Sequence, residues 1–335
     1  MSLQQLLSPE QLPLVEKALQ HTFPGLTPSV ITTLPGGLSA ARVFKIEVAD
    51  KAYLLKADQP TPHNTTRFSA LQLAATAGIA PAAYYLDAAT GISITGFINT
   101  VPLRQAFPQP AALLTALAQT IKAMHALPAL PGKQTLYNTV QPVILQLKQA
   151  SVLPAAAVTA CMHHFNLISE QYPWNDTDKV FSHNDLNPGN IVCDGETIWI
   201  IDWEAAFQND RYVDIAITAN FFVTSEAEES IFLTSYFGAV PGQYQRARFF
   251  IMRQLCRLVF ASLLLQSAGP LSTQPLATDA GDITLAAIGS RLQSGELSLS
   301  TPQGRLLYAI SLFNEAQNNM QQPRFNEALA ALSLG

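Results

Sequence analysis

Beyond residue 100 the chain is rich in Ala and Leu and is patterned for helix, except for one island. From Lys179 to Asp214, short β-forming runs alternate with polar residues. The order is Ser182-His183-Asn184-Asp185-Leu186-Asn187-Pro188-Gly189-Asn190, then Ile191 to Cys193, then Thr197 to Ile201, then Asp202-Trp203-Glu204. The two apolar runs are separated by Asp194-Gly195, a turn pair suited to a β-hairpin. No other feature constrains the fold as much, because a hairpin flanked by polar loops must return the second loop beside the first. Pro188-Gly189 turns the first loop back, so that Asp185 and Asn190 face one cleft and the hairpin sets Asp202 opposite them.

The rest of the chain frames this island. Ser8-Pro9-Glu10-Gln11 has the pattern of a capping box and opens a helix to about His21. Pro35-Gly36-Gly37 reads as a turn, followed by strands over Arg42–Val48 and Ala52–Lys56 joined at Asp50. Phe68, Leu71, Ala74 and Ala75 recur at helical spacing over 64–77, and Gly78 and Pro81 stop that helix. Two short strands, Ala83–Leu86 and Ser93–Ile98, precede a strong helix from Pro110 to His125. A chain of 335 residues, 48% of them hydrophobic, can fill more than one core. The expectation is an α+β protein of two lobes: a small β-rich N-terminal lobe over 1–99 and a mainly helical C-terminal lobe over 100–335.

Composition narrows the partners. Charged residues are only 13% of the chain and the formal net charge is -5, which offers no general attraction to nucleic acid or to an anionic membrane surface. Three scattered cysteines, Cys161, Cys193 and Cys256, give neither a disulfide framework nor a metal knuckle, and point to a reducing compartment. The N-terminus lacks a basic stretch followed by an apolar one, and no window approaches the ~20 apolar residues that span a bilayer. Phe249 to Leu265 is interrupted by Arg253, Gln254 and Arg257, as in an amphipathic helix packed inside a helical lobe. A cytoplasmic protein with no nucleic-acid or membrane partner is expected; nothing in the sequence fixes an oligomeric state.

Transfer of a γ-phosphoryl group requires a device that holds the triphosphate, metal ions that neutralise it, and a base that orients the acceptor hydroxyl. In kinases an Asp of the catalytic loop precedes a metal-binding Asn by five positions, and a second metal-binding Asp opens the next strand-to-loop junction; Asp185, Asn190 and Asp202 have this arrangement. Singly, each of these residues also serves to cap a turn or end a strand. Together, from Phe181 to Asp214, they resemble the signature of the choline-kinase, thiamine-kinase and aminoglycoside-phosphotransferase superfamily. That resemblance implies a protein-kinase-like two-lobed fold, ATP and Mg2+ as cofactors, and a small-molecule hydroxyl as acceptor. It implies Asp185 as catalytic base, His183 as the loop histidine that braces the site, and Asn190 and Asp202 as magnesium ligands. Asn184 and the Asp-Trp-Glu at 202–204 are similar to the choline-kinase branch, while Asn187 stands where many relatives carry His.

Upstream residues follow the same order. Gly36-Gly37-Leu38-Ser39 resembles the family's nucleotide loop, which brings Gly36, Gly37 and Ser39 to the phosphates. Lys56 takes the place of the strand lysine that contacts the α- and β-phosphates. Phe97-Ile98-Asn99 resembles the hinge whose backbone holds adenine. Two departures accompany this likeness. No acid lies between Asp58 and Asp87, although the family usually pairs the strand lysine with a helix Glu, so Lys56 needs another partner, Asp202 or the nucleotide itself. Where choline kinases place a Glu and a Trp against the cationic headgroup, this chain has Phe221 and Phe222. An aromatic pair still attracts a quaternary ammonium by ~0.5 to 2 kcal/mol per ring. From Asp185 to Asp214 seven acids face one base, Arg211, and Glu204 is the leading candidate to meet a cationic acceptor. The expected function is ATP-dependent phosphorylation of a small amino alcohol of the choline, ethanolamine or thiamine type. The alternatives are an aminoglycoside or sugar-type kinase, and a nucleotide-binding pseudokinase or regulatory module.

Overall fold

The computed structural model describes residues 3–34, 41–61, 64–130, 135–175, 178–273 and 280–333; Gly36, Gly37 and Ser39 lie outside the described residues. The chain forms two compact units, Met1–Gly132 with Val180–Gln208, and Lys133–Lys179 with Asn209–Gly335. The lobes read from sequence divide the chain by secondary-structure content, whereas these units divide it by packing.

The first unit opens with α1 (Leu3–Leu6) and α2 (Gln11–Thr22), where the Ser8 hydroxyl accepts the Gln11 N–H at 3.3 Å. An antiparallel sheet follows, made of β1 (Val30–Leu34), β2 (Arg42–Val48), β3 (Lys51–Ala57), β4 (Ala83–Asp87) and β5 (Ile92–Gly96), in the order β1-β2-β3-β5-β4. Alternation decides which side is buried. Phe44, Ile46 and Val48 of β2 and Tyr53, Leu55 and Ala57 of β3 form one core with Val15, Ala18 and Leu19 of α2. Lys56 lies between Leu55 and Ala57 and therefore points to the opposite face, in register with Val43 on one side and Ser93 on the other. β5 ends at Gly96 rather than at Ile98; Phe97–Asn99 continue without regular secondary structure, with the Phe97 N–H donating to Ala52 O at 3.3 Å.

The unit also holds α3 (Asn64–Thr76), α4 (Leu103–Ala106), α5 (Pro110–His125) and the hairpin of β7 (Ile191–Cys193) and β8 (Ile198–Ile200). Two backbone bonds fasten the hairpin, Val101 N–H to Cys193 O at 2.7 Å and Ile200 N–H to Ile79 O at 2.9 Å. The chain enters and leaves the island along β6 (Lys179–Ser182) and β9 (Phe207–Asp210), which pair with each other.

The second unit is helical: α6 (Leu136–Leu145), α7 (Ala155–Gln171), α8 (Arg211–Phe222), α9 (Glu226–Phe237), α10 (Gln243–Ser267), α11 (Leu285–Gln293), α12 (Pro302–Met320) and α13 (Pro323–Ser333). α10 is central, packing on α6, α8, α12 and α13. By length and composition it could cross a membrane, but 67% of its apolar window is buried inside the protein. The interruptions noted in its sequence are not a solvated face. Gln254 is 1% exposed and Arg257 is also buried. Gln254 donates to Phe250 O at 2.8 Å and accepts from Arg257 at 2.8 Å, so the polar groups serve each other within the core. The three cysteines are free and buried.

Candidate active site

The loop between β6 and β7 is held by its own side chains. Asn184 adopts the left-handed region at φ 66°, which Asn tolerates better than most residues. Its amide donates to Ala205 O at 2.9 Å, so the first polar loop is tied to the second. His183 is fully buried. Its Nδ1 accepts the Asp185 N–H at 3.3 Å, so Nε2 carries the proton and donates to Ile201 O at 2.9 Å. With both ring nitrogens on backbone groups, His183 braces the loop.

The Asp185 carboxylate is fixed from both sides. Asn187 Nδ2 donates to Oδ1 at 3.0 Å, and Asn190 Nδ2 donates to Oδ2 at 3.0 Å and to the Asp185 carbonyl at 2.9 Å. Asn187, to which the sequence assigned no role, thus orients the Asp185 carboxylate, while its Oδ1 accepts the Gly189 N–H at 2.8 Å and shapes the turn. Burial pushes the Asp185 carboxyl above its ordinary pKa, opposed by the Asn187 hydrogen bond and reinforced by the nearby charge of Asp202.

Asp202 follows β8 at φ 63° and starts a 3-10 turn over Trp203–Ala205. The Ile201 N–H donates to Asn190 O at 3.0 Å, which brings the residues before Asp202 against Asn190. Among the described residues, Asn190 Oδ1 and Asp202 Oδ2 accept no hydrogen bond. These are hard oxygen donors of the kind magnesium takes, and magnesium needs only one or two protein oxygens when phosphates and water complete its shell. No closed group of three or more His, Cys, Asp or Glu is present among the described residues. The chemistry of the donor set fits magnesium carried by a nucleotide.

Lys56 reaches this loop. Its Nζ donates to Asp202 Oδ1 at 3.0 Å and to Glu204 Oε1. Burial disfavours the ammonium, yet the two carboxylates outweigh it and raise its pKa. Glu204, expected to face a cationic acceptor, has its Oε1 engaged by two cations of the protein, Lys56 and Arg67. The cause lies in α3, which carries no acid but presents Arg67, whose Nη1 donates to Glu204 Oε1 at 3.2 Å and to Asp58 Oδ2 at 2.7 Å. Sequence reasoning missed Arg67; a cation one turn into the helix that lacks its acid was the available signal.

Other expected residues are dispersed. Phe97 and Ile98 are half-buried and Asn99 is exposed, directly after β5, and Lys45 Nζ lies 5.1 Å from the Phe97 ring centroid. Phe221 and Phe222 end α8 in the second unit, both half-buried. Phe221 meets Phe260 edge-on at 6.4 Å and lines a small cavity with Arg257 and Tyr308, so the charge beside it is positive. His163 and His164 are ring neighbours at 5.9 Å, and no metal-holding group forms around them among the described residues. Asp214 is fully buried on α8.

Residues 30–250 match the phosphotransferase enzyme family (APH), and the chain belongs to that family. A choline/ethanolamine kinase family protein from Mesorhizobium loti has the same fold at 20% identity and a TM-score of 0.68, covering 96% of this chain and 99% of that one. A choline kinase from Cryptosporidium parvum superposes with a TM-score of 0.64 at 11% identity, over 96% of this chain and 99% of its own. Spectinomycin phosphotransferase, solved with ADP and spectinomycin, gives 0.59 at 16% identity over 97% and 99%. An uncharacterized protein of Metamycoplasma hominis is 38% identical over 71 residues, 21% of this chain and only 14% of that protein.

Proposed function

We propose that the protein transfers the γ-phosphoryl group of ATP to the hydroxyl of a small molecule, with Asp185 as the base. The observation that carries this reading is the fixed carboxylate of Asp185 beside a metal-type oxygen pair. Asn190 uses its amide to hold the base and leaves Oδ1 open, and Asp202 leaves Oδ2 open. Magnesium held by Asn190 and Asp202 would neutralise charge on the phosphates. Lys56 would contact the α- and β-phosphates, and the hinge backbone at Phe97–Asn99 and the loop at Gly36, Gly37 and Ser39 would hold the nucleotide. Asp185 accepts the acceptor's proton as its oxygen attacks, so the chain contributes position and charge rather than covalent chemistry. The raised pKa of Asp185 suits a group that takes a proton. A cytoplasmic location, where ATP is at hand, fits three free cysteines.

For the acceptor, the acidic loop and the similarity to choline kinases support a cationic amino alcohol of the choline, ethanolamine or thiamine type. Within the second reading, an aminoglycoside or sugar-type hydroxyl, two contacts favour the neutral sugar type: Glu204 is engaged by Lys56 and Arg67, and Arg257 is the charge beside Phe221. Incubation with Mg·ATP and a panel of amino alcohols, aminoglycosides and sugars, followed by detection of phosphorylated product, tests both. A product with one class and loss of that product in Asp202→Ala support the assignment. Nucleotide binding with no product from any class would remove it and favour the nucleotide-binding pseudokinase or regulatory module.

A further inference from the structure

The distribution of charge around Lys56 leads beyond the assignment of a nucleotide lysine. Lys56 is a mostly buried ammonium, with 18% of its side chain exposed, and such a group needs a carboxylate at all times. Two carboxylates reach it, Asp202 and Glu204. Asp202 has a second obligation, because the metal reading above requires its oxygens. The immediate ion-pair chain contains two cations, Lys56 and Arg67, and three acids, Asp58, Asp202 and Glu204. With Asp202 committed to a metal, two cations and two acids remain, joined in the order Lys56, Glu204, Arg67, Asp58, and the chain is still balanced.

Arg67 is the unusual member. It is 8% exposed at the side chain, lies over the Phe68 ring at 4.5 Å, and reaches both acids through a single nitrogen, Nη1. Its Nε and Nη2 are buried and have no hydrogen-bond partner among the described residues. A guanidinium so incompletely bonded is costly, and what the fold obtains from it is a link between β3, α3 and the turn that carries Glu204.

On the basis of the nucleotide reading above, we infer that Glu204, fixed by Arg67, is the permanent counter-ion that positions Lys56 for the triphosphate, and that Asp202 is a partner Lys56 releases when Mg·nucleotide binds. Glu204 is a positioning residue: it acts on the phosphates through Lys56 and contacts neither metal nor acceptor. α3 acts on the nucleotide site through a cation, and the acid comes from the turn after β8.

Calorimetric titration of the full-length protein with Mg·AMP-PNP, a non-hydrolysable ATP analogue, tests this. Glu204→Gln should weaken binding about 10-fold, the loss expected for one charge-assisted bond. Its thermal midpoint should stay close to that of the parent, and the Mg2+ concentration for half-maximal nucleotide binding should not change. Arg67→Lys, which keeps the charge but moves the donor that bridges Asp58 and Glu204, should weaken binding by a smaller factor, and adding it to Glu204→Gln should cost nothing further. Glu196→Gln, exposed in the turn of the preceding hairpin, is the control and should bind as the parent does. Nucleotide affinity within twofold of the parent in Glu204→Gln would overturn the inference, as would recovery of that variant at high Mg2+, which would put Glu204 on the metal. If the parent itself fails to bind Mg·AMP-PNP, the nucleotide reading fails first and this inference with it.

Discussion

Two charged clusters in this molecule use similar groups and end in opposite states. In the second unit, Asp210 Oδ2 accepts from Tyr172 at 2.6 Å and from Arg248 at 2.7 Å, while Oδ1 caps α8 by taking the Tyr212 N–H at 2.8 Å. Arg248 is 2% exposed, with the Tyr212, Tyr172 and Tyr244 rings 4.6, 5.5 and 5.9 Å from its guanidinium carbon. Burial drives the Tyr172 hydroxyl well above its usual pKa, and the Asp210 charge adds to this. In the first unit, Lys56 and Arg67 share Glu204 and Lys56 also reaches Asp202, and the Asp202 and Glu204 side chains are 41% and 34% exposed. One cluster is sealed by aromatic rings, so its partners cannot exchange. The other keeps carboxylate oxygens open to solvent, which leaves room for the partner exchange inferred above without unfolding anything.

That contrast predicts how each cluster breaks. The largest effect is expected from Asp185→Asn, which should lower phosphoryl transfer by roughly 10²- to 10⁴-fold and leave Mg·AMP-PNP affinity within about threefold, since the base meets the acceptor and not the nucleotide. Equal loss of both in calorimetry and product assays would make Asp185 a folding residue. Next, Arg248→Met should cost about 3–5 kcal/mol of stability by leaving Asp210 without its cation in the core. Chemical denaturation measures it; a loss under ~1 kcal/mol would mean that the aromatic shell holds α8 without the ion pair.

A smaller, pH-dependent term distinguishes the clusters further. Burial raises and the Arg67 hydrogen bond lowers the Asp58 pKa, with a net fall below the ordinary carboxylate value. The folded state therefore binds this proton less readily than the unfolded chain does. Its stabilising contribution is present in full above the ordinary value and is lost as pH falls through the lower folded value. Asp58→Asn should remove that acid-side slope from a plot of thermal midpoint against pH below about 4, and a slope identical to the parent's would exclude the pair as its source. The smallest effect belongs to the surface pair Arg291 and Glu296, 2.8 Å apart but 39% and 62% exposed. Arg291→Ala should change stability by about 0.5 kcal/mol or less, and a larger change in the denaturation midpoint would show that exposure is the wrong measure of the difference.

Much of this was legible in the sequence, for a local reason. Alternation in Arg42–Val48, the turn at Asp194-Gly195 and the run from Pro110 to His125 each report a periodicity that the backbone must obey whatever surrounds it. The spacing of Asp185, Asn190 and Asp202 was equally local, because one loop and one hairpin set it. The interior of α10 was not legible: Gln254 and Arg257 look like a polar face in sequence and are buried in fact. Only the helices packed around α10 show that those groups have each other as partners.

What the sequence determined by itself is the set of elements and the order of polar groups along the island, because neighbours in the chain dictate both. What the tertiary structure decided is the pairing of charges. Glu204 has no local feature that sends it to Lys56, 148 residues away, or to Arg67, 137 residues away. A carboxylate beside a cleft suits an acceptor, a metal or a buried lysine equally well by charge, and which of these it meets depends on which side chains the sheet, α3 and the hairpin bring within hydrogen-bonding distance. Coulomb attraction between such groups is strong only at contact and in partial burial, and both are properties of the packed chain.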